Sequence, residues 1–357
     1  MTKDIQKWAD EAMFTAEPSD ASKGPEVFFL QGTPDPLGSI AAFSAMYTGK
    51  VIRNKADVTD EDRRYHLEEM KKTKLKAPLE AVNLHFMVEG VTRSFTHQMV
   101  RQRTAVYAQE SLRFAVKEDA AEAVAVPPFL AGTMSLAQWC DVNDVEEDIH
   151  PELSDLYHRE DEPQKMRLLW DYQNRDVSET YNHLVNMGLP AEDARGLLPH
   201  NITTRLNYAT NLRNLQDHAG NRLCTQAQFE WRMFWVKVIE AMRNYCTADY
   251  HGTIGGHTGV SCDNWQWNEI ANLFRPVCYL TGQCEFKAQF DRKCKIRERV
   301  DANADINRPS SEWDEPYDLY PNGGTAPVVE REERTGTPVF IGPISPAEWL
   351  LDDGAAR

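Results

Sequence analysis

The sequence has no apolar run long enough to cross a membrane, and its first residues lack the apolar stretch of a signal peptide. It has no excess of positive charge either, because 55 acidic residues outnumber 39 lysines and arginines and give a net charge of -16. General attraction to nucleic acid or to an anionic membrane is therefore excluded as an expectation. Any polyanionic ligand must bind in a local basic pocket.

Cysteine is also scarce, with seven residues scattered along 357 positions and no Cys-x2-Cys pair. The spacing matches no zinc template, so we expect ordinary thiols and no metal site at the four C-terminal cysteines, which are Cys262, Cys278, Cys284 and Cys294. An odd number of scattered cysteines favours a reducing compartment. The predicted location is the cytoplasm, either of a bacterium or of an infected host cell.

The composition that is present, 41% hydrophobic with nine tryptophans, is typical of a folded protein of enzyme size. Four regions differ in pattern. Residues 1–34 are polar and predict an N-terminal arm, and residues 35–245 predict the main domain. Within that domain, about 141–165 are rich in acidic residues and predict a solvated loop. Residues 246–357, which are glycine-rich at first and proline-rich at the end, predict an extension of unknown role.

Periodicity predicts both strands and helices. Alternating apolar residues from Val82 to Val88 predict a strand that ends at Gly90. An apolar stripe (Val91, Phe95, Met99) predicts a helix directly after it. Capping patterns predict further helices from Asp35-Pro36, from Thr59 to about Lys72, and from Thr225 onward. Their core faces are predicted as Ile40, Phe43 and Tyr47 in the first of these and Trp231, Trp235, Val238, Ile239 and Met242 in the last, and a long helix is predicted over Leu168–Met187.

The segment from Arg101 to Phe114 is basic although the chain is acidic, with three arginines and one carboxylate. Gln98 and Arg101 lie one helical turn apart, and a loop is predicted after Arg103 that carries Ser111 and Arg113. Arginine suits phosphate because its planar fork donates two parallel hydrogen bonds to an oxyanion. A salt-bridged surface loop is the alternative interpretation of this segment.

A second polar block follows between residues 192 and 232. Glu192 and Arg195 share a helical face, and Pro199 is predicted to end their helix. Asn211, Arg213 and Arg222 come next.

Together, the two blocks resemble the flavin-dependent thymidylate synthases. The first block keeps Arg101, Arg103, Ser111 and Arg113 of the family signature Arg-His-Arg-x-x-Ser-x-Asn-Glu-x-Ser-x-Arg-Tyr. It departs at five positions, which are Gln102, Val106, Ala108, Gln109 and Phe114. In the second block, the family spacing is kept at Glu192, Arg195, Asn211, Arg213, Arg222 and Ala227-Gln228-Phe229-Glu230, and Gln98 also matches. The resemblance covers about residues 35–245 and indicates a divergent member, such as one from a bacteriophage.

This resemblance implies an α+β fold in which a sheet is flanked by long helices, and a homotetramer whose subunits share the FAD site. It implies that dUMP is methylated to dTMP, with methylenetetrahydrofolate as the carbon donor and NADPH as the reductant of FAD. No enzyme nucleophile takes part, and no cysteine lies in the Arg101–Phe114 signature segment or at a family-matched position of the second block. The protein is expected to contribute binding, alignment and charge.

Residue roles follow from the matched positions. The resemblance assigns catalysis to Arg222 and Gln98, with Arg222 against the pyrimidine and Gln98 orienting the base. The nucleotide would contact Gln98, Arg101, Gln109, Glu110, Ser111, Leu112, Arg113, Arg195 and Arg222. The cofactor would contact Thr48, Arg101, Gln102, Arg103, Asn211, Arg213 and Asp217, the last of which replaces a family asparagine. Ser111 is expected to donate to phosphate and not to act as a nucleophile, because no general base is near it in sequence. Glu192 is expected to position Arg195 as its ion-pair partner.

Two alternatives remain open because the departures cluster in the signature. One is the same chemistry on another pyrimidine or product, as in a dCMP methylase or a hydroxymethylase of dUMP or dCMP. Gln109 in place of Glu adds a donor to a position that otherwise only accepts. The other is a nucleotide-binding paralogue that no longer reacts.

Overall fold

The computed structural model describes residues 24–113, 120–127, 130, 132–223, 227–245 and 265–277, together with two short strands at 328–331 and 338–341. Four antiparallel strands form the main sheet in the order β1-β2-β4-β3, namely β1 (Glu26–Gly32), β2 (Asn83–Thr92), β3 (Ala105–Gln109) and β4 (Thr203–Asn211). The helices are α1 (Pro36–Ala45), α2 (Asp60–Lys72), α3 (Arg93–Met99), α4 (Leu136–Asn143), α5 (Glu162–Asn186), α6 (Ala191–Ala194), α7 (Leu212–Arg222), α8 (Phe229–Asn244) and α9 (Trp265–Ala271). The predicted α+β class is confirmed.

The central strand β2 alternates as predicted, with Leu84, Phe86 and Val88 buried in the main core. The prediction that Gly90 ends the strand is wrong. The strand continues to Thr92 through a bulge between Val88 and Val91, and Gly90 adopts a φ of 68° there. A side chain at Gly90 would also come within 2.5 Å of the Gly24 carbonyl oxygen, so both the backbone and the neighbour require glycine.

The helices that cover this face of the sheet follow their predicted caps in two cases. Asp35 accepts a hydrogen bond from the Gly38 amide at the start of α1, and Thr59 forms a capping box with Asp62 at the start of α2. The predicted core stripe of α1 is wrong at Phe43 and Tyr47, which are 57% and 55% exposed. The α-helix ends at Ala45 and tightens into a 3₁₀ turn, so Tyr47 rotates off the face that buries Ile40.

Helix α8 packs its predicted core face into the same core, and all five predicted residues are buried. Its predicted capping box is wrong by three residues, since the helix begins at Phe229 with Gln228 as its N-cap. The predicted long helix is confirmed as α5, which begins six residues before Leu168 and ends at Asn186. Its early start is set by Asp161, whose side chain caps the Gln164 amide.

Both predicted ends of the main domain need correction, although the division into units itself stays a prediction. The N-terminal arm is wrong for Glu26–Gly32, because β1 pairs with β2 along its whole length. Within the predicted extension, Trp267, Ile270, Leu273 and Phe274 belong to the main core. The Gln266 side chain accepts a 2.9 Å hydrogen bond from the Leu37 amide. The four C-terminal cysteines and the glycine-rich stretch from 247 lie outside the described residues, and β5 (Val328–Arg331) pairs with β6 (Pro338–Ile341) within the predicted tail.

The acidic stretch 141–165 was predicted as a solvated loop, and this is wrong for much of its length. It contains the end of α4, two 3₁₀ turns (Pro151–Leu153 and Tyr157–Arg159) and the start of α5. Trp139 and Tyr157 are buried in a small separate core there, and the Trp139 indole donates a 2.8 Å hydrogen bond to Glu160. No cluster of metal-binding side chains occurs among the residues that the structure describes.

Candidate active site

Helix α3 begins where β2 ends, and the start of α8 is joined to it at that point. Thr92 caps α3 by accepting a 3.0 Å hydrogen bond from the Phe95 amide. The Glu230 carboxylate accepts from the Thr92 amide at 2.6 Å and from the Thr92 hydroxyl at 2.7 Å. Burial raises the pKa of Glu230, and the two hydrogen bonds from Thr92 oppose that rise. Sequence reasoning missed this residue as a connector, although Glu230 was among the matched family positions.

At the other end of α3, the structure brings the two predicted catalytic residues together. The Gln98 side-chain oxygen accepts from Arg222 at 3.3 Å and from the indole nitrogen of Trp231 at 3.0 Å. The Arg222 guanidinium also lies over the Trp231 ring, 4.6 Å from its centroid. Burial lowers the pKa of Arg222, which means that this cation lies in a partly desolvated place. Trp231 is buried in the core as predicted, and it is in addition the wall of this site.

His218 supports the same wall from behind. Its ring makes edge contacts with Trp231 and Trp235, at 4.8 and 5.9 Å between centroids. Burial, with a smaller contribution from the charge of Arg222, lowers the pKa of His218 to about 4. The Nδ1 atom is buried, and no hydrogen-bond partner for it occurs within the described part of the chain. The imidazole is therefore neutral at pH 7, which leaves Arg222 as the cation at this place.

The segment after Arg103 was predicted as a loop, but residues Ala105–Gln109 form the edge strand β3. The strand pairs with β4, and Tyr107 stacks on Tyr208 with 5.4 Å between ring centroids. Alternation was the available signal, since Val106 is 70% exposed whereas Tyr107 faces the core. Ser111 and Arg113 do lie in a turn, just after the strand.

Around that turn, the structure groups four arginine and glutamate side chains. The Arg113 guanidinium pairs with the Glu192 carboxylate at 2.8 Å, with both side chains about half exposed. Arg195 donates to the backbone oxygen of Glu192 at 3.0 Å, so the prediction that the Glu192 carboxylate pairs with Arg195 is wrong. The geometric reason is that α6 ends at Ala194, which directs the Arg195 side chain back to the carbonyl of its own turn.

Arg93, which sequence reasoning missed, belongs to this basic group. It donates a 2.6 Å hydrogen bond to the Glu110 carbonyl and holds the predicted Glu110–Arg113 turn against the start of α3. Burial lowers the pKa of Arg93, and the positive charge of Arg195 acts in the same direction. Its position in the first turn of a helix gave no sequence signal beyond the charge itself. Arg93 and Gln98 are five residues apart on one helix, which corresponds to about 7.5 Å along the axis.

The opposite end of the sheet holds a cavity of about 790 Å³ that is lined by all four strands. Two predicted cofactor residues, Arg103 and Asn211, line it. They are joined there by other polar side chains, which include Gln31, Thr33, Asn83, Thr104 and Thr210. The Asn211 oxygen caps α7 by accepting from the Asn214 amide at 3.0 Å, which leaves its amide nitrogen for the cavity. Among the described residues, no carboxylate pairs with Arg103, which is exposed.

The other predicted cofactor residues are not brought to this cavity in the isolated chain. The Gln102 side chain is bonded inward to Tyr208 and to the Asn214 carbonyl. Thr48 donates to the Ala45 carbonyl at 3.0 Å, and Arg213 pairs with Glu80. Asp217 is exposed on α7, near Lys76. Of the remaining predicted substrate residues, Arg101 is exposed, Leu112 is buried, and the Gln109 amide donates to the Thr96 hydroxyl at 2.9 Å.

Comparison with known proteins gives one family. The family model described as thymidylate synthase complementing protein matches residues 29–246, which is more than half of the chain. A flavin-dependent thymidylate synthase of Geobacter sulfurreducens is 26% identical over 263 residues, covering 71% of this chain and 99% of the relative. One from Clostridium tetani is 27% identical over 243 residues, covering 68% and 89%.

Among solved structures, a UMP/dUMP methylase from Streptomyces cacaoi bound with 5-Br dUMP aligns with a TM-score of 0.47 at 17% identity, covering 61% of this chain and 89% of that one. In the part of the chain that the structure describes, no helix has the length and apolar character of a membrane span. The match over residues 29–246 decides the classification: this chain belongs to the thymidylate synthase complementing protein family, whose members similar to it are flavin-dependent thymidylate synthases.

Proposed function

We propose that the protein methylates dUMP to dTMP, using FAD, with methylenetetrahydrofolate as carbon donor and NADPH as reductant. The observation that carries this proposal is the contact between Gln98, Arg222 and Trp231 at one end of α3, with a basic group at its other end. A polar, partly desolvated pair and a phosphate-binding group on one short helix suit a nucleoside monophosphate. The family membership and its named relatives support the same assignment.

In this proposal the phosphate lies at the Glu110–Arg113 turn. Arg113 and Arg195 supply charge, and Arg93 holds the turn in place through the Glu110 carbonyl. Phosphate would exchange with the Glu192 carboxylate for Arg113, since that pair is half exposed and contributes little by itself. Ser111 would donate its hydroxyl to the phosphate, because its oxygen now only accepts from the Arg113 amide at 3.3 Å.

The base would lie against Gln98 and Arg222. A cation that is held on an indole ring and partly removed from water stabilises negative charge more strongly than one in bulk solvent. Arg222 is therefore assigned to the negative charge that develops on the pyrimidine ring. Neutral His218 adds no second charge and keeps the Trp231 ring in place.

The cavity at the opposite sheet end fits part of the FAD molecule. Its volume falls within the range of ligand sites, and the Arg103 guanidinium suits the anionic pyrophosphate, while the Asn83 and Asn211 amides suit adenine or ribose edges. Bound there, the flavin would supply the hydride that the methyl transfer requires. Arg103 and Asn211 would hold and align it. Thr48, Arg101, Gln102, Arg213 and Asp217 remain proposed contacts, and those that face solvent in the isolated chain would meet FAD from a neighbouring subunit.

A homotetramer is proposed for that reason. The predicted contacts Thr48 and Arg101 lie apart from the Arg103 cavity, and exposed apolar side chains surround Thr48, namely Phe43, Met46, Tyr47 and Val51. Such a surface is typical of a protein interface. The scattered cysteines favour the cytoplasm as the place where the enzyme acts.

The experiment is to purify the protein and weigh the product. Yellow protein that converts dUMP to a product 14 mass units heavier, only with methylenetetrahydrofolate and NADPH present, would support the proposal (the mass increase of roughly 14 is that of one added CH₂ group). A mass higher by one further oxygen would identify a hydroxymethylase. Release of tritium from pyrimidine C5 with dCMP and not with dUMP would overturn dUMP as the substrate. Colourless protein that takes up no FAD would overturn the enzyme assignment.

A further inference from the structure

The Gln98 amide can take only one orientation. Its contacts with Arg222 and Trp231 are made by the same side-chain atom, at 3.3 and 3.0 Å. A guanidinium and an indole N–H only donate hydrogen bonds, so the atom between them must be the oxygen. The nitrogen of the amide therefore faces away from Arg222.

The orientation continues through Gln228 to a carboxylate. The Gln98 nitrogen donates a 2.8 Å hydrogen bond to the Gln228 side-chain oxygen, and the Gln228 nitrogen donates to Glu230 at 3.4 Å. An ionised carboxylate only accepts, so this end of the chain of hydrogen bonds is fixed as firmly as the first. Glu230 is itself held by the Thr92 amide and hydroxyl. Donor-only groups at one end and an acceptor-only group at the other leave no freedom for either amide to flip.

Counting the remaining capacity shows what Gln98 offers to a ligand. Its oxygen already receives two donors, and its nitrogen has used one of two hydrogens. One N–H remains. Uracil carries an acceptor oxygen at C4, as thymine does, whereas cytosine carries an amino donor there. A single remaining donor therefore matches uracil at that edge and meets a second donor in cytosine.

We propose that Gln228 and Glu230 are positioning residues that fix Gln98 as a hydrogen-bond donor, and that this donor makes the site select a pyrimidine with a carbonyl at C4 over one with an amino group. The inference rests on the proposed function insofar as Gln98 contacts the base. It extends that function by assigning base selectivity to two residues that do not touch the base themselves. A buried partner group left without its hydrogen bond is the physical source of the discrimination.

The test measures the binding of dUMP and of dCMP to the FAD-loaded protein by calorimetry, without folate, so that no turnover occurs. The unaltered protein should bind dUMP at least roughly tenfold more tightly than dCMP, since a mispaired donor forfeits a hydrogen bond and its desolvation. Gln228→Met keeps the length of the side chain and removes both hydrogen bonds. It should weaken dUMP binding roughly three- to tenfold and leave dCMP binding unchanged, which narrows the preference.

Glu230→Gln should narrow the preference in the same way, because Gln228 then meets a group that also donates. Glu240→Gln is the matched control on the same helix, where the carboxylate pairs only with Lys237, and it should change neither affinity. Gln228 is exposed and caps nothing with its side chain, so its variant should fold even if Glu230→Gln does not. Melting temperature and flavin content are measured on each variant.

Equal affinities of the unaltered protein for dUMP and dCMP would overturn the inference. Equal losses for both nucleotides in Gln228→Met would do so as well, because a merely structural role moves both affinities together. An unchanged preference in Gln228→Met while dUMP still binds and reacts would refute the positioning role and leave the proposed function standing. Failure of the unaltered protein to bind FAD or either nucleotide would instead remove the proposed function.

Discussion

The hydroxyl of Tyr208 donates a 2.9 Å hydrogen bond to the side-chain oxygen of Gln102, deep under the turn that carries Arg101 and Arg103. Tyr107 reaches the same oxygen at 3.4 Å, and the Gln102 nitrogen donates to the Asn214 carbonyl at 3.0 Å. Burial raises the pKa of Tyr208 far above its usual value, so the hydroxyl keeps its proton and remains a donor. In this chain, the glutamine that replaces the family histidine holds the arginine turn against β4 and α7.

Gln102→Leu should therefore lower the free energy of unfolding by about 1–3 kcal/mol, because it leaves buried polar partners without hydrogen bonds. Urea unfolding of the apoprotein measures this. Tyr65→Phe, which removes an exposed hydroxyl, is the control and should change little. If Gln102→Leu kept full stability but lost FAD, Gln102 would be a direct flavin contact and not a support for the turn.

Arg222→Ala should lower turnover roughly 100- to 1,000-fold while the protein still binds flavin, since it removes a fixed cation from the charged transition state. Arg64→Ala is a matched control, because Arg64 also lies over a tryptophan ring, 4.3 Å from the centroid of Trp265, but away from Gln98. Steady-state assays and flavin absorbance are measured on both. Unchanged turnover in Arg222→Ala would remove Arg222 from its assigned role.

Arg113 and Glu192 should separate binding from stability. Glu192→Gln should change the free energy of unfolding by less than about 1 kcal/mol, because the ion pair is half exposed. Arg113→Ala should weaken dUMP binding by roughly tenfold or more through the loss of a charge-assisted hydrogen bond to phosphate. The binding of deoxyuridine, which has no phosphate, is the control and should be unaffected by Arg113→Ala. Equal losses for nucleotide and nucleoside would place the phosphate elsewhere.

His218 should make stability depend on pH. Its pKa is about 4 in the folded protein and about 6.5 when unfolded, so the unfolded chain binds the additional proton between these values. Stability is then fully present above pH 6.5 and falls as the pH is lowered towards 4, by at most about 3 kcal/mol. His218→Phe should remove this part of the pH dependence, measured as melting temperature against pH. His97→Gln, at an exposed histidine, should retain it.

A chain that ends at Tyr245, close to the end of the family match, should not fold stably. It would lack Trp267, Ile270, Leu273 and Phe274, all of which are buried in the main core. Burial of each such side chain contributes about 1.5–3 kcal/mol, and the sum is comparable with the whole stability of a typical domain. Circular dichroism of chains ending at 245 and at 277 gives the comparison. Identical melting temperatures would show that α9 adds nothing to the core.

The sequence predicted the helices that have strong local signals. The capping box at Thr59, the Asp35-Pro36 start and the tryptophan face of α8 depend on neighbours in the chain, and the structure confirms them. Gly90 shows the limit of local reading, because a glycine that would end most strands instead forms a bulge that depends on Gly24 across the sheet edge. Tyr47 shows the same limit, since a change from α to 3₁₀ geometry moved it off the core face.

The candidate site was predictable as a set of residue types and not as a set of contacts. The positions of Gln98, Arg222, Arg113 and Arg195 came from family spacing, but which carboxylate pairs with which arginine did not. Glu192 pairs with Arg113 across 79 positions, a distance that no periodicity encodes. Arg93 and His218 were missed because their importance depends on burial next to residues far away in the chain.

Gly32 has a particular consequence for comparing this protein with shorter relatives. A methyl group at this position would come within 2.3 Å of the Trp267 ring, which belongs to the part of the chain beyond the family match. The tryptophan therefore occupies the volume that a side chain on the edge strand would otherwise fill. Homologues without a counterpart of α9 are expected to tolerate a bulky residue there, whereas homologues that carry such a helix are expected to have glycine, so this one column of an alignment should identify which of them share the added helix.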